Sequence, residues 1–307
     1  MMAIYDFHVH SPGQTQDKTR IQINKEVFLK TDNQSDNKQL WTFFILTYFI
    51  SWIFWISAAL SGQEVTKSIW MLPYILGGFG PSIAGILLMT RYNSKPQRRD
   101  FWKRLLGFKR ISMKWYLIIF LVFPAVFGFS ILLNALLGQE MPGFNAVVGI
   151  IANPLSLLGI IIAGLITGPL AEEPGWRGFA LDRLQNKWSP LLSSLILGTV
   201  WWVWHLSLFF MKGTTQYQWG FGSVYFWMFF LAIFPLTIIL TWVYNRTNRS
   251  ILAAVLIHFM YNFTLGLVYP FSSNFIIFET GFLWIAAVVV VILSDQSKQS
   301  SSISIQV

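Results

Sequence analysis

Eight runs of about 20 apolar residues divide the chain, and this feature limits its fold more than any other. An α-helix rises about 1.5 Å per residue, so roughly 20 residues cross the ~30 Å of hydrocarbon in a bilayer. Only helices and closed barrels satisfy their own backbone hydrogen bonds in lipid. We therefore predict an all-α polytopic transmembrane helix bundle of about eight spans, at residues 40–61, 69–90, 115–137, about 155–180, 190–211, 223–244, 251–270 and 275–294.

The composition agrees with a lipid-facing surface and excludes several kinds of chemistry. The chain is 54% hydrophobic and only 11% charged, whereas soluble domains carry about a quarter of charged residues. It contains no cysteine, which excludes disulfides, thiolate zinc ligands and a cysteine nucleophile. A net charge of +9 suggests nucleic acid at first sight. Because the charges lie in loops between apolar spans, we expect a bilayer with anionic headgroups as the partner, and no nucleic acid.

The basic residues indicate how the chain lies in the membrane. If the amino-terminal tail is inside, the inside segments hold 20 of the 22 Lys and Arg residues, and the outside loops hold only Lys67 and Lys212. Cytoplasmic loops of membrane proteins carry such an excess. We therefore expect a multi-pass protein of the plasma (cytoplasmic) membrane with both termini in the cytoplasm. One basic cluster is expected along the headgroups: Arg98, Arg99, Lys103, Arg104, Lys109 and Arg110.

Three regions follow from the distribution of polar residues. Residues 1–39 are polar with mixed charges, and we predict a mostly disordered cytoplasmic tail. Residues 40–294 form the predicted bundle, and residues 295–307 form a short polar tail. The motifs described next lie within about residues 150–270.

The fourth span carries two carboxylates and an arginine. A charge in hydrocarbon costs ~2.5–3.5 kcal/mol on insertion scales, so each one calls for an explanation. Neighbours on a helix point about 100° apart, so Glu172 and Glu173 face different ways, whereas Glu173 and Arg177 share one face. Different environments would allow one carboxylate to act as a base and the other to orient neighbouring residues. The simpler alternative is an ion pair at a helix end. Pro174 and Gly175 predict a local irregularity.

Two further spans carry the histidines. His205 ends the run Trp201-Trp202-Val203-Trp204-His205, and a histidine in so apolar a span usually faces a protein interior or a cavity. His258 and Asn262 are four residues apart, so both face one side of the seventh span, where they can donate hydrogen bonds to one oxygen. The alternatives are a neutral histidine with a single hydrogen bond and polar contacts between helices.

Together, these three groups of polar residues match a buried hydrolytic site. A carboxylate and a histidine can deprotonate water, while His and Asn donors stabilise an oxyanion. In an alternative arrangement, Glu173, His205 and His258 bind zinc and leave one position open for water. The spacing differs from the H-E-x-x-H of soluble zinc proteases.

These residues resemble the motifs of the CPBP family of intramembrane proteases. This family includes the type II CAAX prenyl endopeptidases and their bacterial relatives, also called the Abi family. Its pattern is E-E-x-x-x-R, F-x-x-x-H and H-x-x-x-N/D on separate membrane helices. Here the first motif reads Glu172, Glu173 and Arg177, and the third reads His258 and Asn262. The second departs from the pattern, because Trp201 stands where Phe is usual before His205.

The resemblance implies a membrane-embedded peptidase and a role for each motif residue. Glu172 would act as general base on water with His205, Glu173 and Arg177 would support the site, and His258 and Asn262 would form the oxyanion site. The family has been described as metal-dependent, but this arrangement also works without metal. We favour a metal-independent mechanism, because one span supplies Asn262 where a dedicated ligand would be more usual.

The leading hypothesis is therefore an intramembrane endopeptidase that cuts a peptide or protein substrate near the cytoplasmic face. An ion-coupled transporter also places Glu, His and Arg in its core and is the first alternative. The second is a non-catalytic relative that protects or scaffolds a partner, as in bacteriocin self-immunity.

A site near the cytoplasmic face meets one difficulty, because its two histidines are expected at different depths in the membrane. Along ideal helices, His205 lies ~25 Å from Lys187 at the cytoplasmic end of its span, whereas His258 lies only ~13 Å from Arg249 at the cytoplasmic end of its own span.

Overall fold

The computed structural model describes the backbone of residues 13–303 and the side chains of residues 36–294. Within this part of the chain the fold is all-α, as predicted, and contains no strand. The principal helices are α1 (Gly13–Leu60), α2 (Met71–Gly78), α3 (Gly80–Tyr92), α4 (Lys95–Leu106), α5 (Met113–Leu136), α6 (Asn145–Ala152), α7 (Ser156–Leu165), α8 (Ala171–Gly175), α9 (Asp182–Gln185), α10 (Pro190–His205), α11 (Thr215–Trp219), α12 (Val224–Arg246), α13 (Ile251–Leu267) and α14 (Ser273–Ile303).

Six helical segments of the described chain are long and apolar enough to cross a membrane. The bent pair α2 and α3, which meet at 45°, makes a seventh if it counts as one span. The apolar helix α13 is shorter and coincides with the predicted seventh span. The count of eight spans and the cytoplasmic termini stay predictions, roughly consistent with these segments. The six segments are Asp36–Leu60, Met113–Leu136, Ser156–Gln185, Pro190–Phe210, Val224–Arg246 and Ser273–Ser294.

Helices α1 and α14 extend into the regions predicted as polar tails. Helix α1 begins at Gly13, and the mostly disordered tail over residues 1–39 stays a prediction. No Pro or Gly follows Gly13 before Gly62, so nothing in the sequence interrupts a helix that continues into the first span. Residues 1–12 lie outside the described part. At the other end, α14 continues to Ile303 through most of the expected polar tail.

Helix α12 lies at the centre of the bundle and is the most buried of the six spans. It packs against α10, α13 and α14, while α5 packs against α13 and α14. On the other side α3 packs against α1 and α8. The helix that carries the paired carboxylates is therefore enclosed by the rest of the fold.

The fourth span is irregular where Pro174 and Gly175 predict an irregularity. Two π-helical turns, Ile166–Leu170 and Trp176–Leu181, flank the short α-helical segment α8. Such turns widen the helix by one residue and occur frequently at functional sites.

Helix α8 approaches α3 so closely that only glycine fits between them. A Cβ atom on Gly175 would overlap the carbonyl oxygen of Pro81, and a Cβ atom on Gly85 would lie 2.8 Å from Gly175 Cα. Small residues permit such backbone contact between membrane helices. The contact fixes the position of α8 and of its two carboxylates.

We predict that Gly175→Ala destabilises the protein by about 1–3 kcal/mol, because the added methyl group must displace backbone atoms of α3. The measurement is thermal unfolding of purified protein in detergent. Gly281→Ala in α14 is the matched control, since a Cβ atom there meets nothing within 4 Å. Equal melting temperatures for the two variants would contradict the close contact of α3 and α8.

Candidate active site

The centre of the site is an ion pair with no access to solvent. Arg177 Nη1 lies 2.9 Å from Glu173 Oε1, and both side chains are 0% exposed. The spacing of four residues predicts this pair, and the structure contains it. Glu173 Oε2 and Arg177 Nη2 make no hydrogen bond within the described residues. The pair is therefore incompletely satisfied, which makes its burial costly.

The same oxygen of Glu173 also holds a histidine of α13. His258 Nδ1 lies 2.8 Å from Glu173 Oε1. A carboxylate oxygen can only accept, so Nδ1 carries the proton and the imidazole orientation is fixed. Glu173 therefore orients a residue of the third motif and does not itself line the cavity described below.

Glu172 points in another direction, as neighbouring positions on a helix require. Its Oε2 accepts a hydrogen bond of 2.6 Å from the indole Nε1 of Trp201. No described group of the protein donates to its other oxygen. Glu172 is thus held at one oxygen and free to act as an acceptor at the second.

His205 is held by the backbone of its own helix. It is the last residue of α10, and its Nδ1 lies 2.8 Å from the carbonyl oxygen of Trp201. A carbonyl can only accept, so this contact places the proton on Nδ1 and leaves Nε2 as the basic nitrogen. A neutral imidazole of this tautomer can accept a proton from water.

A cavity of about 500 Å³ joins the three motifs. Glu172, His205, His258 and Asn262 all line it, whereas Glu173 and Arg177 lie behind its wall. All six residues predicted from the sequence are thus brought into one region, four at the cavity surface and two in support.

The Asn262 side chain faces the cavity beside Gly168, which has no side chain and so leaves room for the amide. A Cβ atom on Gly168 would lie 3.2 Å from Asn262 Nδ2. Its amide is exposed at the cavity surface and, unlike the histidines, makes no hydrogen bond within the described side chains. It can therefore donate to a bound molecule.

Trp201 connects the parts of the site, a role that was not predicted from the sequence. Besides binding Glu172, it stacks on the Arg177 guanidinium, which lies 5.0 Å from the ring centroid. The His258 ring meets it edge-on at 5.2 Å. The presence of Trp in place of the usual Phe could have indicated the hydrogen bond to Glu172, because of these two side chains only Trp carries an N–H donor.

A third buried carboxylate was not predicted. Glu279 in α14 is 0% exposed, and its Oε2 accepts a hydrogen bond of 3.4 Å from the Thr280 hydroxyl. The signal was present in the sequence as a single Glu within an apolar span.

The alternative zinc set does not fit the observed arrangement. The described residues contain no group of three His, Asp or Glu side chains placed to hold one metal ion. Glu173 Oε1, the shared oxygen, is already engaged by Arg177 and His258. Glu173, His205 and His258 therefore do not converge as three ligands.

Comparisons with known proteins agree with the motifs. A sequence model of the family described as type II CAAX prenyl endopeptidase Rce1-like matches residues 154–264. The chain is also 31% identical to CAAX prenyl protease 2 of Methanococcus maripaludis over 252 residues, which make up 81% of this chain and 92% of that protein. The chain belongs to the Rce1-like type II CAAX prenyl endopeptidase family.

Membership of this family confirms the resemblance and indicates a CAAX-protease-type enzyme. All six motif residues lie within the matched region. The apolar helices are those of a multi-pass membrane protein. The transporter alternative has no support from these comparisons.

We predict that Glu173→Gln and Arg177→Ala both reduce the stability and the activity of this protein. Each variant leaves a buried partner without its counter-charge, which in buried pairs lowers the free energy of unfolding by ~3–5 kcal/mol. Melting curves in detergent measure this loss of stability. The control is Glu64→Gln, which breaks the exposed pair with Lys67 and should change little. An unchanged melting temperature in Glu173→Gln would show that the pair does not stabilise the fold.

We also predict that Trp201→Phe lowers the rate of peptide cleavage by this enzyme while the fold survives. The variant removes a hydrogen bond to a carboxylate, worth about 1.5–3 kcal/mol, or roughly 10- to 100-fold in rate. Trp202→Phe is the matched control, because the Trp202 Nε1 group has no hydrogen-bond partner among the described residues. Full activity in Trp201→Phe would mean that Glu172 needs no help from the indole.

Proposed function

We propose that this protein is an intramembrane endopeptidase that hydrolyses a peptide bond with water activated by Glu172 and His205. The observation that carries the proposal is the shared cavity, where an unengaged carboxylate oxygen and a basic imidazole nitrogen belong to two separate helices. We further propose the plasma membrane as its location, with the basic cluster of α4 against anionic headgroups.

The proposed reaction begins with a water molecule between Glu172 and His205. One of these groups takes a proton as the water oxygen attacks the carbonyl carbon of the peptide bond. The carbonyl oxygen then carries negative charge. The Asn262 amide donates a hydrogen bond to it, and His258 donates from Nε2 in its imidazolium form. The proton passes to the leaving nitrogen as the carbon–nitrogen bond breaks, which yields a carboxylate and an amine.

Glu173 and Arg177 act in this proposal as positioning residues. Glu173 fixes the ring of His258, and Arg177 holds Glu173 and stacks under Trp201. Neither needs to touch the substrate. This division of labour explains why two adjacent carboxylates occur in one motif.

The proposed mechanism proceeds without a metal ion. It is supported by the arrangement of donors, since Glu173 Oε1 is engaged by Arg177 and His258 and does not join the two histidines as a third ligand. The name of the relative, CAAX prenyl protease 2, suggests that substrates of this protein are peptides held at a membrane by a lipid group.

The test is peptide cleavage by purified protein in detergent. We expect Glu172→Gln to fold normally and to lose ~10²–10⁴-fold in rate, because an amide cannot act as a general base. A chelator should leave the wild-type rate nearly unchanged. Two results would contradict the proposal: undiminished cleavage by Glu172→Gln, or stoichiometric zinc in active protein that is lost in His258→Ala.

A further inference from the structure

A second hollow, here called the interfacial groove, lies between α10, α12 and α14. Its volume is about 360 Å³, and its described lining shares no residue with that of the catalytic cavity. The start of α10, the last third of α12 and the last described side chains of α14 form its walls. All three helices belong to membrane-spanning segments, and the groove lies at the ends of those segments. It is therefore placed where hydrocarbon meets headgroups.

The lining of the interfacial groove changes from apolar to charged along its length. Ile238, Val290 and Val291 give it apolar walls. Arg246, the last residue of α12, is exposed and is the only charged residue of the described lining. It lies eight residues beyond Ile238, or ~12 Å along a helix. Its Nη2 donates to the carbonyl oxygen of Leu293 at 3.4 Å, which keeps the guanidinium beside α14.

Two hydrogen-bond donors lie between the apolar and the charged ends of the interfacial groove. Thr241 is 2% exposed, and its Oγ1 makes no hydrogen bond within the described residues. The buried Nε1 of Trp242 also has no partner there. Both side chains line the groove. A molecule bound in the groove therefore meets two donors that the protein itself does not satisfy.

The unpaired hydroxyl of Thr241 contrasts with its neighbours. The Thr237 and Thr247 hydroxyls of the same region donate to carbonyl oxygens four residues earlier, at 2.6 and 2.7 Å. Ser194 and Ser294, in the walls of the groove, bond to their own helices in the same way. This local bond is the common solution for a hydroxyl within a helix. A buried hydroxyl without it needs an acceptor from elsewhere, because an unsatisfied donor is costly.

We propose that the interfacial groove binds one glycerophospholipid. Its phosphate lies at Arg246, and the oxygen atoms that join its glycerol to its chains accept from Thr241 and Trp242. The upper part of one chain packs against Ile238 and Val290. The order of charge, donors and apolar surface along the groove is the order of phosphate, glycerol oxygens and chain in such a lipid. This proposal concerns a different surface from the catalytic cavity and does not depend on the proposed function.

A lipid at this place also adjoins a link between the central helix and the motif-bearing span. Asn245 lines the groove, and its Nδ2 donates to Gln185 Oε1 of α9 at 2.8 Å. In return, Gln185 Nε2 donates to Asn245 Oδ1 at 3.2 Å. Helix α12 also packs against α10 and α14. A lipid in the groove contacts these three helices at once, so its binding should stabilise their arrangement.

The test measures the binding of defined lipids to purified protein that has been stripped of lipid in dodecyl maltoside. With dioleoylphosphatidylglycerol, native mass spectrometry should show saturable binding of one molecule per chain, and the melting temperature should rise. Dioleoylglycerol has the chains without the phosphate, and sodium phosphate has no chain. Each should bind at least tenfold more weakly, which separates a lipid site from a site for free phosphate.

Two variants probe the donors and the charge. Thr241→Val keeps the shape of the side chain and removes the hydroxyl, so its affinity for phosphatidylglycerol should fall about 3- to 10-fold. Thr199→Val is the matched control, because Thr199 is exposed outside the groove and its hydroxyl donates to the Leu195 carbonyl oxygen at 2.9 Å. Arg246→Gln should lose the preference for phosphatidylglycerol over dioleoylglycerol. Melting curves without lipid show whether each variant folds.

Equal affinity of Thr241→Val and wild-type protein for phosphatidylglycerol would overturn the proposal, and so would equal binding of dioleoylglycerol and phosphatidylglycerol by the wild type. A dimer that excludes lipid would assign the groove to a second copy of the chain and would overturn it as well. None of these measurements uses cleavage. A negative result for Glu172→Gln in the cleavage assay would therefore reject the proposed function and leave the lipid site in place.

Discussion

The burial of Arg177 against Glu173 is the interaction on which the rest of the site depends. Both side chains are fully enclosed, yet their remaining polar atoms are only partly satisfied. A buried pair of this kind rarely gives more stability than apolar residues of the same size. Its presence is explained by what it holds in place. Glu173 fixes the imidazole of His258, and the guanidinium supports the ring of Trp201. The pair thus orients residues on two other helices around the cavity.

The backbone of the fourth span makes this arrangement possible. Two adjacent carboxylates would compete for the same cation if they faced the same way. The helical rotation between them sends Glu173 to the ion pair and Glu172 to the cavity. The π-helical turns on either side of α8 and the contact of Gly175 with α3 hold that rotation in place. An adjacent pair of identical residues can therefore perform two different tasks.

The sequence predicts those parts of the fold and site that depend on local spacing. Apolar runs give the helices, four-residue spacing gives the pair of Glu173 with Arg177, and the motifs give the residues at the cavity. What the sequence does not predict depends on contacts between distant segments. The hydrogen bond from Trp201 to Glu172 joins two spans and cannot be read from either one.

One residue of the basic cluster, which is expected to orient the protein in the membrane, also holds the motif-bearing helix. Asp182 follows the second π-helical turn directly, and it binds Arg104 of the basic cluster together with the Tyr244 hydroxyl of α12. The basic cluster therefore has a structural role in addition to any contact with headgroups. Because it anchors the end of the span that carries Glu172, the distance from the basic cluster to the carboxylate is set by the helix between them. A site fixed in this way lies at one depth, where the carboxy-terminal end of α10 and the middle of α13 supply the two histidines.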